Sequence, residues 1–244
     1  MWTAAALKSN ALSYDAPIWR VVEEQWKPAT VRITDTLAEQ ALLEQILDDA
    51  KPSLPPETEG FDFLIATPFR YAPYPEGSRF RRAGQPEGVF YGSETPQTAI
   101  AEMAFYRLLF FKEAPGAILP AKPTEYTAFM APVNTRWLSD LTQPPLDADA
   151  AKWTDRTTYG PCQDFADTAR EAEIEAIRYT SVRDPDAGKN IAVLSLKAFA
   201  STKPEAKQTW HIYLRPQRVQ VWREHPKYER EYANAWFAED PRVV

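Results

Sequence analysis

The groups that could do chemistry lie close together in the first half of the chain. Glu102 sits in the stretch Gly88–Arg107, GVFYGSETPQTAIAEMAFYR. Its neighbours three and four positions away are Thr98, Ala99, Phe105 and Tyr106, so a helix here surrounds the carboxylate mostly with apolar and aromatic groups. A charge in such company needs a partner or a task, because burying it alone is costly. Tyr91 ends the apolar run just before it. Arg70, Arg79, Arg81 and Arg82 cluster upstream, and Arg20 interrupts an earlier apolar run. A guanidinium offers a planar fork to phosphate, and aromatic rings offer stacking faces. A carboxylate with arginines and tyrosines suits cleavage of a glycosidic-type bond in an anionic nucleotide. The arginines would hold phosphates, an aromatic would orient the ring, and the carboxylate would stabilise an oxocarbenium-like transition state.

Other chemistries find less material. His211 and His225 are the only histidines and Cys162 the only cysteine, so no Cys/His metal site is expected. The chain carries no G-x-S-x-G elbow, P-loop or G-x-G-x-x-G fingerprint. Cys162 reads as a small buried hydrophobe more readily than as a nucleophile. A net charge of −6 and a pI near 5.2 weigh against a protein whose main work is gripping nucleic acid. They leave room for a small anion held by a few arginines in one cleft. No apolar run reaches the length of a membrane span, and the N-terminus lacks the charged start and apolar run of a secretory signal. The single cysteine allows no internal disulfide. A cytoplasmic protein without membrane or direct nucleic-acid partners is expected.

The elements that must position these groups follow from punctuation and periodicity. With 244 residues, 44% of them hydrophobic, the chain can bury a sizeable core. Twenty-two prolines against eight glycines indicate many stiff connections. Residues 1–17 read as an irregular lead-in, and Ile18–Val22 as a short strand. Thr36–Lys51 is a helix opened by a Thr36/Glu39 capping box, with Leu37, Ala38, Ala41, Leu42, Ile46 and Leu47 on its apolar side. Phe61–Ala66 has strand-like composition, and Phe69–Arg82 reads as an aromatic, Arg-rich loop. Val89–Tyr91 is a strand. Thr95 and Pro96 cap and open a helix whose core face is Ala99, Ile100, Met103 and Ala104. Ala114–Pro123 is a Pro-rich turn region, Tyr126–Val133 a strand and Trp137–Asp149 a loop. Pro161–Tyr179 is expected as a second helix, Thr180–Asn190 as a loop and Ile191–Phe199 as a strand. Trp210–Leu214 and Val219–Trp222 pair as a hairpin, and Lys227–Phe237 reads as an amphipathic helix. Strands and helices mix without strict alternation, which points to an α+β fold with a largely antiparallel sheet.

Six segments carry a resemblance to a known family: Trp19-Arg20, Ser78-Arg79-Phe80, Val89-Phe90-Tyr91, Thr95-Pro96, Ala101-Glu102 and Ile177–Arg183, IRYTSVR. In this order they resemble the RES domain family, the toxins of RES–Xre toxin–antitoxin systems, over roughly residues 18–200. The resemblance implies an ADP-ribosyltransferase-like α+β fold with flanking helices, in one domain over residues 1–244. Its core would span about 18–222, with a helical insertion at about 34–58 and a helical tail at about 225–244. It implies NAD as substrate, no separate cofactor, and cleavage of the nicotinamide–ribose bond by a glycohydrolase or phosphorylase reaction. ADP-ribosyl transfer to a protein and a non-catalytic nucleotide- or partner-binding module are the alternatives. An Xre-type antitoxin is the implied partner, and a homodimer is compatible. Carried over by residue, Arg20 and Arg79 would bind the NAD phosphates, with Arg82 as a further candidate. Tyr91 would meet the nicotinamide ribose, Glu102 would hold the ribose 2′-OH and favour the cationic transition state, and Ser181 would position the substrate. Ser78 stands where the family has glycine, and Tyr106 where some members have histidine.

Overall fold

A computed structural model describes residues 2–24, 33–50, 52–70 and 77–243. Its strands are β1 (Leu12–Glu23), β2 (Phe90–Ser93), β3 (Thr124–Asp140), β4 (Ala176–Thr180), β5 (Lys189–Val193), β6 (Ala206–Leu214), β7 (Arg218–Arg223) and β8 (Tyr228–Ala233). They form one sheet in the order β1-β2-β5-β4-β3-β6-β7-β8. β1 also pairs with β3, from Leu12 opposite Leu138 to Glu23 opposite Tyr126. The first five strands of that order therefore close into a ring, and β6 to β8 continue from β3 as an antiparallel extension. Among the described residues only the β3–β4 pairing is parallel. The helices are α1 (Ala4–Ser9), α2 (Leu37–Asp49), α3 (Phe63–Arg70), α4 (Pro96–Glu113), α5 (Ala150–Trp153), α6 (Gly160–Glu171) and α7 (Asn234–Phe237). The fold is α+β and mostly antiparallel.

β3 organises the core because both of its faces are covered. Successive side chains of a strand point to opposite faces. Phe129, Ala131 and Val133 join Ile18, Phe90, Ile191 and Val193 in one buried cluster. Tyr126 and Ala128 face a second cluster built on Ile100, Ala104, Phe105 and Leu108 of α4. A third cluster packs Phe165, Ala166 and Ala169 of α6 against Phe80, Tyr179 and Ala192. α4 starts as its sequence signals: Thr95 Oγ1 accepts the Thr98 N–H at 3.1 Å, and Pro96 occupies the first turn, where its missing N–H costs nothing.

Several elements differ from the expectation. In the expected lead-in 1–17, residues 2–17 hold α1 and the start of β1, and Leu7 anchors α1 in the α6 cluster. Phe61–Ala66 leads into a helix, because Asp62 caps it by accepting the Leu64 N–H at 2.9 Å. A short apolar run cannot by itself distinguish a strand from a buried helix turn. The same helix takes in Phe69 and Arg70, the start of the expected loop Phe69–Arg82, while residues 71–76 of that loop lie outside the described residues. Trp137–Asp140 extends β3. The second helix ends at Glu171; Glu173 then takes φ 54°, and Ala176–Thr180 runs beside β3 as a strand. Ile191–Phe199 leaves the sheet after Val193, and Ser195 caps a 3-10 turn over Leu196–Ala198. The expected tail helix is instead β8, paired residue by residue with β7, followed by the four-residue α7. α2 has its capping box, but none of its residues is buried, and Leu37, Leu42, Ile46 and Leu47 are exposed. Lys51 falls outside the described residues. The β6–β7 hairpin forms where expected.

Candidate active site

Glu102 projects from the second turn of α4 toward the ends of β4 and β5. Its Oε1 accepts Ser181 Oγ–H at 2.6 Å and Asn190 Nδ2–H at 2.7 Å. Both donors are themselves fixed. Ser181 Oγ accepts the backbone N–H groups of Arg183 at 3.2 Å and Asp184 at 3.0 Å, which leaves its proton for the carboxylate. Ser93, at the end of β2, donates to Asn190 Oδ1 at 2.6 Å, which turns the amide nitrogen toward Glu102. Ser93, Ser181 and Asn190 are all buried, so these bonds are shielded from competing water. Among the described residues Oε2 receives no hydrogen bond. One oxygen is therefore locked and the other can meet a ligand.

The loop between β4 and β5 is pressed close to the start of α4. A Cβ on Gly188 would lie 2.1 Å from Thr98 Oγ1 and 2.6 Å from Asp184 Oδ2, so only glycine fits there. Its carbonyl accepts the Ser181 N–H at 2.8 Å and closes the loop behind the serine.

Tyr179 on β4 lies within electrostatic range of both Glu102 and Arg79. Burial first, then the negative charge of Glu102 and the neighbouring Tyr91, holds its phenol well above the ordinary value, with Arg79 opposing. It stays neutral, and its ring packs edge-on against Phe80 at 4.9 Å between centroids. Arg79 lies over the Tyr159 ring at 4.7 Å and the Tyr179 ring at 6.0 Å. Its Nη1 donates to the Trp153 carbonyl and its Nη2 to the Asp155 carbonyl, both at 2.8 Å. Arg79 is only 8% exposed, and among the described residues no carboxylate pairs with it. Its Nη atoms are engaged by carbonyls, so what it offers an anion is a positive charge held among aromatic rings with no carboxylate beside it among the described residues.

Tyr91 holds the turn that presents Arg79. Its hydroxyl bonds Ser78 Oγ at 2.8 Å and accepts the Phe80 N–H at 3.0 Å. Burial pushes its phenol up while those two bonds oppose the shift. Arg20 on β1 donates Nη1 to the Tyr91 carbonyl at 2.8 Å and lies 5.0 Å from the Phe90 ring centroid. β1 is paired on both sides, so Arg20 is not an edge residue. Burial pushes its guanidinium down to about 10, and it too has no carboxylate partner among the described residues. Glu102, Ser181, Tyr91, Arg79 and Arg20 are thus brought into one connected neighbourhood.

Arg82 is not. It pairs with Asp164 and, at 2.6 Å, with Asp167, both on the outer side of α6. Arg81 is buried but spends its donors on the Gln85 and Pro86 carbonyls. Cys162 is fully buried, and burial raises its thiol above the ordinary range. Tyr106 is 49% exposed and lies one helical turn beyond Glu102 on α4. Asn190 and Tyr179 are the residues that sequence reasoning missed. Asn190 had one local signal, a polar residue opening the otherwise apolar run Ile191–Leu194. Tyr179 was hidden because its segment continued a helical stripe. Among the described residues no group of histidine, cysteine, aspartate and glutamate side chains could hold a metal, and no helix is long and apolar enough to cross a membrane.

An α+β ring that presents a doubly anchored glutamate, with Arg20 on β1 and Arg79 on a turn lacking carboxylate partners among the described residues, defines the class of protein to compare. The chain belongs to the RES domain family, whose model matches residues 55–215. A chain of the crystal structure of the M. tuberculosis MbcT–MbcA toxin–antitoxin complex aligns over 99% of this chain and 97% of its own, at a TM-score of 0.45 and 11% sequence identity. A sequence comparison with curated proteins gave no match.

Proposed function

We propose that this protein is an NAD-consuming enzyme that breaks the nicotinamide–ribose bond, acting in the cytoplasm as the toxin of a toxin–antitoxin pair. The observation that carries the reading is the carboxylate of Glu102. One oxygen is held by Ser181 and Asn190, and the other has no partner among the described residues. In this reading Oε2 takes the ribose 2′-OH. As nicotinamide leaves, positive charge grows on the ribose ring, and the fixed carboxylate stabilises it without having to reorganise. Arg79, buried, and Arg20, partly buried, take the phosphates as cations lacking carboxylate partners among the described residues. Tyr91 and Tyr179 supply ring surface beside the sugar. The acceptor decides whether the product is ADP-ribose, its phosphorylated form or an ADP-ribosylated protein. In this reading the neutralising partner is an Xre-type antitoxin, a reading that the RES domain match supports.

The test is product analysis of NAD incubated with purified, partner-free protein, with and without phosphate, using wild type and Glu102→Gln. Release of free nicotinamide by wild type and its loss in the variant support the reading. An NAD pool that stays constant under all conditions, with nucleotide binding intact, would instead favour a binding module.

A further inference from the structure

The loop that carries Ser181 is also held from the far end of the chain. Residues 216–243 lie beyond the stretch that matches the family, residues 55–215, yet three contacts run from them to this loop. Trp236 donates its indole N–H to the Arg183 carbonyl at 3.0 Å. The Asp240 carboxylate, which is fully buried, takes Arg183 Nη2 at 2.6 Å. Arg230 on β8 pairs with Asp186, with Nη2 to Oδ1 at 3.0 Å.

Arg183 is where these contacts converge. Its side chain is 2% exposed, lies 3.9 Å from the Phe105 ring centroid and donates to the Arg156 carbonyl at 2.7 Å. Phe105 is one helical turn from Glu102 on α4. The backbone N–H of Arg183 is one of the two that orient Ser181 Oγ. A side chain locked by the tail and a backbone group that aims the serine thus belong to one residue. Asp240 is itself held by Arg242, whose backbone N and Nε each reach Oδ1 at 3.0 Å and whose Nη2 reaches Oδ2 at 2.8 Å. Burial opposes its ionisation, but the bonds to Arg242 and the charge of Arg183 outweigh it, and the carboxyl stays below its usual range.

We propose that Trp236 and Asp240 are positioning residues for the reaction at Glu102. They fix Arg183, Arg183 fixes Ser181 Oγ, and Ser181 sets Glu102 Oε1. The inference rests on the reading of Glu102 as the group facing the reacting sugar.

Trp236→Phe is the mild test, because it keeps an aromatic ring in place while removing the donor to Arg183, along with part of the ring that Arg156 lies over at 5.3 Å. Loss of one hydrogen bond that holds geometry lowers kcat for NAD consumption about threefold to tenfold with KM unchanged. Amide hydrogen exchange at residues 182–188 speeds up, while β6 and β7 exchange at the wild-type rate. Asp240→Asn moves both readouts further in the same direction. Should Asp240→Asn fail to fold, Trp236→Phe alone decides. Unchanged kcat and unchanged loop exchange in a folded Trp236→Phe overturn the proposal. A uniform rise in exchange across the sheet also overturns it, since that is the signature of a merely structural role. If wild type consumes no NAD, the substrate reading fails on its own, and loop exchange still decides whether the tail orders the Ser181 loop.

Discussion

Glu102→Gln separates charge from shape. The amide has nearly the same volume, and its oxygen can still accept from Ser181 and Asn190, so the network that now spans 2.6 and 2.7 Å persists. What disappears is one negative charge beside the developing cation. At about 4 Å and an effective dielectric of about 20, that charge contributes about 4 kcal/mol. Turnover should therefore fall by about 10³-fold. The folding cost is smaller. Two charge-assisted bonds become neutral ones, losing about 1 kcal/mol each, and the amide recovers part of this because it is cheaper to desolvate. For a chain of this size that lowers Tm by about 2–8 °C. The assay is release of nicotinamide, followed at a temperature well below the variant's melting transition. A folded Glu102→Gln variant that retains turnover within about tenfold of wild type would refute the electrostatic role.

Three further outcomes follow from the same geometry. Arg79→Lys keeps the charge but loses the fork held by the Trp153 and Asp155 carbonyls, and should raise KM for NAD by about tenfold or more, whereas Arg82→Ala should leave turnover unchanged and cost at most about 1 kcal/mol of stability; steady-state kinetics of both, with denaturant melts, checks this. Gly188→Ala forces a methyl to within 2.1 Å of Thr98 Oγ1, so the loop must shift, Ser181 moves off Glu102, and activity should drop more than urea-measured stability does. Cys162→Ala should keep full turnover and lose about 1–2 kcal/mol of packing, and the wild-type thiol should resist alkylation until the protein unfolds; rapid labelling of the native protein with loss of activity would contradict its inert, buried state.

Some elements were legible because their signals are local. The start of α4 needs only Thr95, Pro96 and the apolar spacing that follows, all within two turns. The same holds for the Thr36/Glu39 capping box and the β6–β7 hairpin. Pro161–Tyr179 was legible only in part. Its first half is helix, but a stripe of alanines and isoleucine suits either element, and the β3 edge beside Leu138 and Ser139 captured Ala176 and Ile177 as a strand. Lys227–Phe237 failed for a related reason. Tyr228, Arg230 and Tyr232 also alternate, and the free edge of β7 supplied the hydrogen bonds that the segment could not make alone.

The sequence by itself determined the chemistry on offer: a carboxylate among aromatics, arginines upstream, and only two histidines and one cysteine. The order of its short motifs pointed to the RES family. Tertiary structure decided which of those groups meet. Ser181 and Asn190 lie 79 and 88 positions from Glu102, and no local spacing encodes bonds across such distances. It also sorted the arginines, leaving Arg79 and Arg20 without carboxylate partners among the described residues while Asp164 and Asp167 engaged Arg82. The physical reason is that spacing along the chain sets which face a residue takes within its own helix or strand. Whether a charge there is paired, exposed or left to bind a ligand depends on what the ring of strands folds against it.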